Sequence, residues 1–213
     1  MDVADLPTIA KEDKGMDQMS QARSADGRQA QAEDDARNQE KTAGDPNKPK
    51  AVRDTAAAKA KTDREEAKKE KKESEDRYWE AANAYDEAGF ERHLAARKEE
   101  NRAELLNGEK REAILEKAAK LHQLSAEDYS QAAIGYGSSD LGKAAGPFVA
   151  GARKKSKDEY QSAARDFEEA ARINGADEPK EAKQCYEAAS LCYAAIAADA
   201  EVKRVREEIA KLP

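Results

Sequence analysis

The chain has little of what builds a deep interior or a reactive site. Its aromatic residues are one Trp, seven Tyr and three Phe in 213 positions. The hydrophobic class is 38% of the chain, much of it alanine, and charged residues are 39%. So light a load of Leu, Ile, Val and Phe excludes a thick core along the whole length. No apolar run approaches the ~20 residues that span a bilayer, so no membrane partner is expected. The opening MDVADLPTIAKEDKGMDQ lacks a basic segment followed by an apolar one and carries acids early. Neither a classical secretory signal nor a mitochondrial leader is therefore expected, and the setting is read as intracellular. The net charge of −7, with both signs interspersed, argues against nucleic acid as a partner. The basic runs Lys68-Lys69 and Lys71-Lys72 are broken by Glu65, Glu66, Glu70, Glu73 and Glu75, and Arg153-Lys154-Lys155 is three residues long. Neither has the interleaved aromatics of a single-strand binder. The two cysteines, Cys185 and Cys192, are seven apart on a predicted helix. Two turns put their α-carbons roughly 10 Å apart, beyond disulfide reach, so both are read as small buried residues.

What is present is a phrase used four times: Tyr, two residues, Ala, three residues, an aromatic. It occurs as Tyr78-Ala81-Tyr85, Tyr129-Ala132-Tyr136, Tyr160-Ala163-Phe167 and Tyr186-Ala189-Tyr193. Offsets of three and seven place the three side chains on one stripe of an α-helix. Ring, gap and ring form a surface into which a neighbouring helix docks. No stretch shows the strict alternation of a strand. The expected class is all-α: a long charged helix plus a small antiparallel helical bundle, with an irregular N-terminal arm.

Residues 1–50 contain no aromatic and end in GDPNKPK. Residues 17–41 have adequate helix propensity but no apolar stripe, so 1–50 is read as a polar tail, disordered or partner-bound. Residues 51–106 read as one long helix, with an interruption near Gly89 left open. Its first half is a charge ladder, Glu65-Lys69-Glu73-Arg77 with Lys71-Glu75 and Lys72-Asp76, each i,i+4 pair worth about 0.2–0.5 kcal/mol. Ala67 is the one apolar residue between Thr62 and Arg77, so no coiled-coil seam is expected and this half reads as a rod in water. Residues 107–213 read as the bundle. Asn107-Gly108 is a helix stop. A helix over 109–123 carries Ile114, Ala118, Leu121 and Leu124, and Ser125 to Asp128 resembles the capped start of a further short helix. The Gly-rich 135–147 is a connector, a helix follows to Ile173, and a last helix runs from Pro179 to about Lys211. The expected core is Tyr85, Leu94, Ile114, Leu121, Tyr160, Phe167, Tyr186, Tyr193 and Ile196. Trp79, beside the stripe, is read as core cover.

Motifs that carry chemistry fail on inspection. Gly137-x4-Gly142-Lys143-Ala144 resembles a phosphate-binding loop, but Ala144 replaces the metal-binding hydroxyl and the preceding segment is a helix. His93 and His122 lie on different helices without zinc spacing and are read as surface or boundary residues. Carboxylates lack the apolar wall that general acid–base work requires, and no Gly-x-Ser-x-Gly elbow exists. No catalytic, cofactor-binding or metal-binding residue is therefore expected, no cofactor, no small-molecule substrate, and no enzyme.

Ala163-x3-Phe167-x2-Ala170 is similar to the second helix of a tetratricopeptide repeat, and Asp177-Glu-Pro-Lys-Glu-Ala182 looks like the start of such a helix. The resemblance covers residues 109–200 and implies a helical solenoid with a concave peptide-binding face. The four phrases start 51, 31 and 26 residues apart rather than at the family's 34-residue period. The expected function is a non-catalytic structural component of a larger assembly, whose partners are other proteins or copies of itself, gripped by the arm and the helical faces. The alternative is a soluble adaptor or chaperone with a tetratricopeptide-like groove.

Overall fold

The computed structural model describes residues 6–139, 144–175 and 177–213. Among them the chain is all-α, with six helices: α1 (Leu6–Gly44), α2 (Lys50–Ala103), α3 (Glu109–Ser138), α4 (Gly146–Asn174), α5 (Pro179–Ala195) and α6 (Asp199–Ile209). Each helix packs mainly against its neighbours in the chain. No helix among the described residues is long and apolar enough to cross a membrane.

The largest difference from the sequence reading lies at the N-terminal end. Residues 6–44, read as part of a polar tail, form a 39-residue helix laid along α2. The turn between them is closed by Asp45, whose Oδ1 accepts the Asn47 amide at 2.9 Å, and Pro49 precedes the first turn of α2. The seam is real but contains almost no large apolar residue. On α1, Thr8, Gly15, Ala22, Ala25, Ala32 and Ala36 are buried, with Lys11, Gln18, Gln29 and Gln39 half-buried between them. These positions step by alternating threes and fours. On α2 the same alternation runs through Ala56, Ala60, Ala67, Glu70, Ser74, Ala81, Ala84 and Ala88. Steps of 3.5 residues are the signature of a coiled-coil seam, here built from alanine, so the charged half of α2 is one arm of a hairpin rather than a solitary rod. Polar cross-links fix an antiparallel register: Arg64 to Glu40 at 2.6 Å, Arg28 to Glu70 at 2.7 Å, Tyr78 Oη to Asp26 at 2.8 Å, and Lys11 to Glu91 at 2.6 Å. Ser74 also donates to Asp26.

The bundle has two apolar centres. The first joins Met19 and Ala22 of α1 to Tyr78, Ala81 and Tyr85 of α2 and to Ala132 and Tyr136 of α3. Trp79 packs against it edge-on, 4.8 Å from the Tyr136 ring and 4.9 Å from Phe148. The second centres on Phe167 of α4 and Tyr186 and Tyr193 of α5, with Leu115 and Val205. Of the expected core, Tyr85, Phe167, Tyr186 and Tyr193 are buried, while Ile114, Leu121, Tyr160 and Ile196 are half-buried. Leu94 is 52% exposed and stands outside.

Two boundaries also differ, and the question left open at Gly89 has its answer. Gly89 does not interrupt α2. It is the seat of the Tyr129 ring, which an added Cβ would meet at 3.1 Å. Helix α3 runs unbroken through Ser125, whose hydroxyl donates to the Gly89 carbonyl at 2.7 Å instead of capping a new helix. The expected last helix divides into α5 and α6 at Ile196–Ala198, where Ala197 has a φ of 54°. The turn lets α6 fold back so that Val205 joins the second centre. Part of the phosphate-loop-like stretch, 140–143, lies outside the described residues.

Candidate functional site

Between the two apolar centres, α2, α3 and α4 meet across a polar layer that heptad spacing assembles. His93 and Glu100 are seven residues apart on α2, Glu159 and Asp166 seven apart on α4, and each pair therefore shares a face. His122 faces them from α3. It is fully buried, the largest side chain among the described residues to be so, against the surface or boundary position expected from sequence. Glu159 accepts hydrogen bonds from both histidines, from His93 Nδ1 at 2.7 Å and His122 Nδ1 at 2.6 Å. On its other side His122 Nε2 lies 3.1 Å from Glu100 Oε1, and Glu100 Oε2 pairs with Arg97 at 2.6 Å.

Electrostatics in this layer follow from burial and proximity. Burial favours a neutral His122, but the hydrogen bond and charge of Glu159, with Glu100 behind it, outweigh burial and raise the imidazole pKa. Burial likewise opposes ionisation of Glu159, and the imidazoles overcome it and hold that carboxyl low. Asp166 has weaker help, from the charges of His122 and Arg97 alone. Burial, then the nearby Glu100 charge, push it up to about 7, and its buried Oδ2 has no hydrogen-bond partner.

A second polar centre ties α1, α2 and α3. The Arg92 guanidinium donates to Glu12 at 2.5 and 2.6 Å and to Asp128 at 2.7 Å. Burial, opposed by Arg92, raises Asp128 to about 7. A third joins α4, α5 and α6: Glu168 receives Tyr193 Oη at 2.8 Å and both terminal nitrogens of Arg204 at 2.7 Å. Cys185 and Cys192 are free and buried, as expected. Burial raises both thiols, Cys185 to about 12 beside Glu116 and Cys192 to about 11, which favours the protonated form at neutral pH.

Sequence reasoning missed His122, Asp128, Glu159 and Asp166. Leu121 and Leu124 drew the stripe of α3 away from the face that carries His122, Ser125 and Tyr129. The available signal was the line Leu115, Ala118, His122, Ser125, Tyr129, which steps by threes and fours and is flanked by the buried Ala119 and Ala126. No protein-family model, curated protein or solved structure matches this chain.

Proposed function

We propose that the chain is a non-catalytic structural component of a protein assembly, bound to other proteins or to copies of itself through its helical faces. The observation that carries this reading is where the few large apolar side chains go. Phe90 and Leu94, one turn apart on α2, are 53% and 52% exposed, and Leu191 on α5 is 73% exposed. Meanwhile the α1–α2 seam is closed by alanine. A chain with so few large apolar residues that places several of them outside presents anchors for other proteins. At ~1.5 Å per residue, the 54 residues of α2 span about 80 Å, the reach of a strut. Two open surface grooves run along helices, one edged by Glu33, Arg37, Arg64 and Lys68, the other by Glu12, Arg23 and Glu127 beside Met16, Met19 and Tyr85, and neither is an enclosed substrate cavity.

Native mass spectrometry of material from the source organism tests the proposal. Fixed companions or a defined oligomer are expected, and Phe90→Ser with Leu94→Ser, or Leu191→Ser, should release partners while leaving the helical circular dichroism unchanged. A monomer that binds isolated peptides in a groove over residues 109–200 would favour the tetratricopeptide-like adaptor instead.

A further inference from the structure

We propose that Glu100, His122 and Asp166 form a binding site for one divalent transition-metal ion, which stitches α2, α3 and α4 together. The sequence reading expects no metal ligand. The site goes beyond the structural role proposed above and does not depend on it. The three side chains come from three helices, and their donor atoms lie within 4.8 Å of one another. An ion bonded at about 2.0–2.2 Å bridges such separations with carboxylate rotations of about an ångström. The donor set, one imidazole nitrogen and two carboxylates, suits zinc, manganese, cobalt or ferrous iron, with a water completing the shell.

Two further observations point to a cation rather than to a self-sufficient ion-pair network. The first is Asp166, which is 8% exposed and has a carboxylate oxygen in the cluster, while its Oδ2 has no hydrogen-bond partner. An orphaned oxygen so deeply placed calls for an occupant. The second is the direction of His122. Its Nδ1 donates to Glu159 at 2.6 Å, which turns Nε2 toward Glu100, 3.1 Å away, where an incoming ion would displace the proton it carries. A carboxylate behind the imidazole is the arrangement that fixes the tautomer of a metal-bound histidine and strengthens it as a ligand. Glu159 is thus a positioning residue. His93, on the far side of Glu159 at 2.7 Å, braces it and is not a ligand. Two carboxylates and a neutral imidazole neutralise a divalent ion within a desolvated layer. The half-exposed rim at Glu100 and His93 gives the ion a way in.

The test uses the untagged full chain, stripped with EDTA and titrated with Co²⁺ by visible absorption and with Zn²⁺ by calorimetry and thermal melting. One ion per chain is expected at micromolar or lower concentration, with a rise in melting temperature. Asp166→Asn should weaken binding by about 100-fold or more, Glu159→Gln by about 10- to 100-fold, and His93→Gln by less than about threefold. If Asp166→Asn fails to fold by circular dichroism, Glu100→Gln at the solvent rim takes its place with the same expected loss. Absence of saturable one-to-one binding by the wild type overturns the proposal. So does Asp166→Asn or Glu100→Gln binding like the wild type, or loss on His93→Gln with retention in those variants, which would place the ion between His93, His122 and Glu159.

Discussion

Asp128 and Glu12 share a single guanidinium, that of Arg92, in a place where little water reaches. One positive charge is divided between the partly exposed Glu12 and the buried Asp128, and the deeper carboxyl holds its proton up to about pH 7. In the unfolded chain Asp128 titrates near 3.8, and in the folded chain near 7. The folded state therefore holds the extra proton between those values. Stability falls as pH rises from about 4 to about 7, and the full penalty, up to about 4 kcal/mol for such a shift, is present above that window. Asp128→Asn should flatten this part of the profile, leaving the variant at least as stable as the wild type at pH 8 and no more stable at pH 4. Urea denaturation at pH 4, 6 and 8 measures it, and an unchanged slope would refute the assignment. The helical glycines make a second prediction at the same scale. A Cβ at Gly135 would meet the Tyr78 carbonyl and the Ala82 Cβ at 2.9 Å, whereas one at Gly27 meets nothing within 4 Å. Gly135→Ala should cost about 1–3 kcal/mol by overpacking a backbone contact. Gly27→Ala should gain about 0.5–1 kcal/mol. At Gly15 the obstacle is the Tyr85 ring at 2.8 Å, a side chain that yields more readily than backbone, so its cost should fall between the two.

At the scale of the element, α1 and α2 stabilise each other. Neither α1 nor the stretch of α2 before Tyr78 has a face of large apolar side chains, and helical stability in proteins comes mostly from packing such a face against a neighbour. Removing residues 1–44 should therefore lose more helix than α1 itself contains, because the stretch of α2 before Tyr78 loses its cover. Circular dichroism of the truncated chain, compared with the helix content expected for 45–213, decides this. The same physics explains what could be read in advance. The Tyr–Ala–aromatic phrases on α2 to α5 are visible because a ring outweighs its neighbours in any periodicity, and Tyr85, Tyr136, Phe167 and Tyr193 do lie inside. The α1 seam of Ala22, Ala25, Ala32 and Ala36 is nearly silent by comparison. Alanine buries little area, and Gln18 and Gln29 interrupt it. His122 was hidden for the opposite reason: a polar residue on a buried face scores against the face that contains it. The break at Ala197 has no Gly or Pro to mark it and exists because Val205 needs a way back to the core.

At the scale of the whole molecule, contacts run mainly from each helix to the next, so its ends are energetically distant. The bundle half is held by rings and by the Glu168 clamp, and the tip of the α1–α2 hairpin by alanine and partly exposed ion pairs such as Arg64–Glu40. Amide protection in hydrogen exchange should fall along the hairpin toward residues 45–49, and 1 M salt should steepen that gradient by screening the cross-links. Because both arms keep the same seven-residue beat, the hairpin also has the arithmetic of a ruler. Excising one matched beat from each arm would shorten the projection by about 10 Å without disturbing the layers beneath Tyr78. In an assembly, such paired deletions or insertions would reset the spacing between whatever the tip and the bundle hold, one notch at a time.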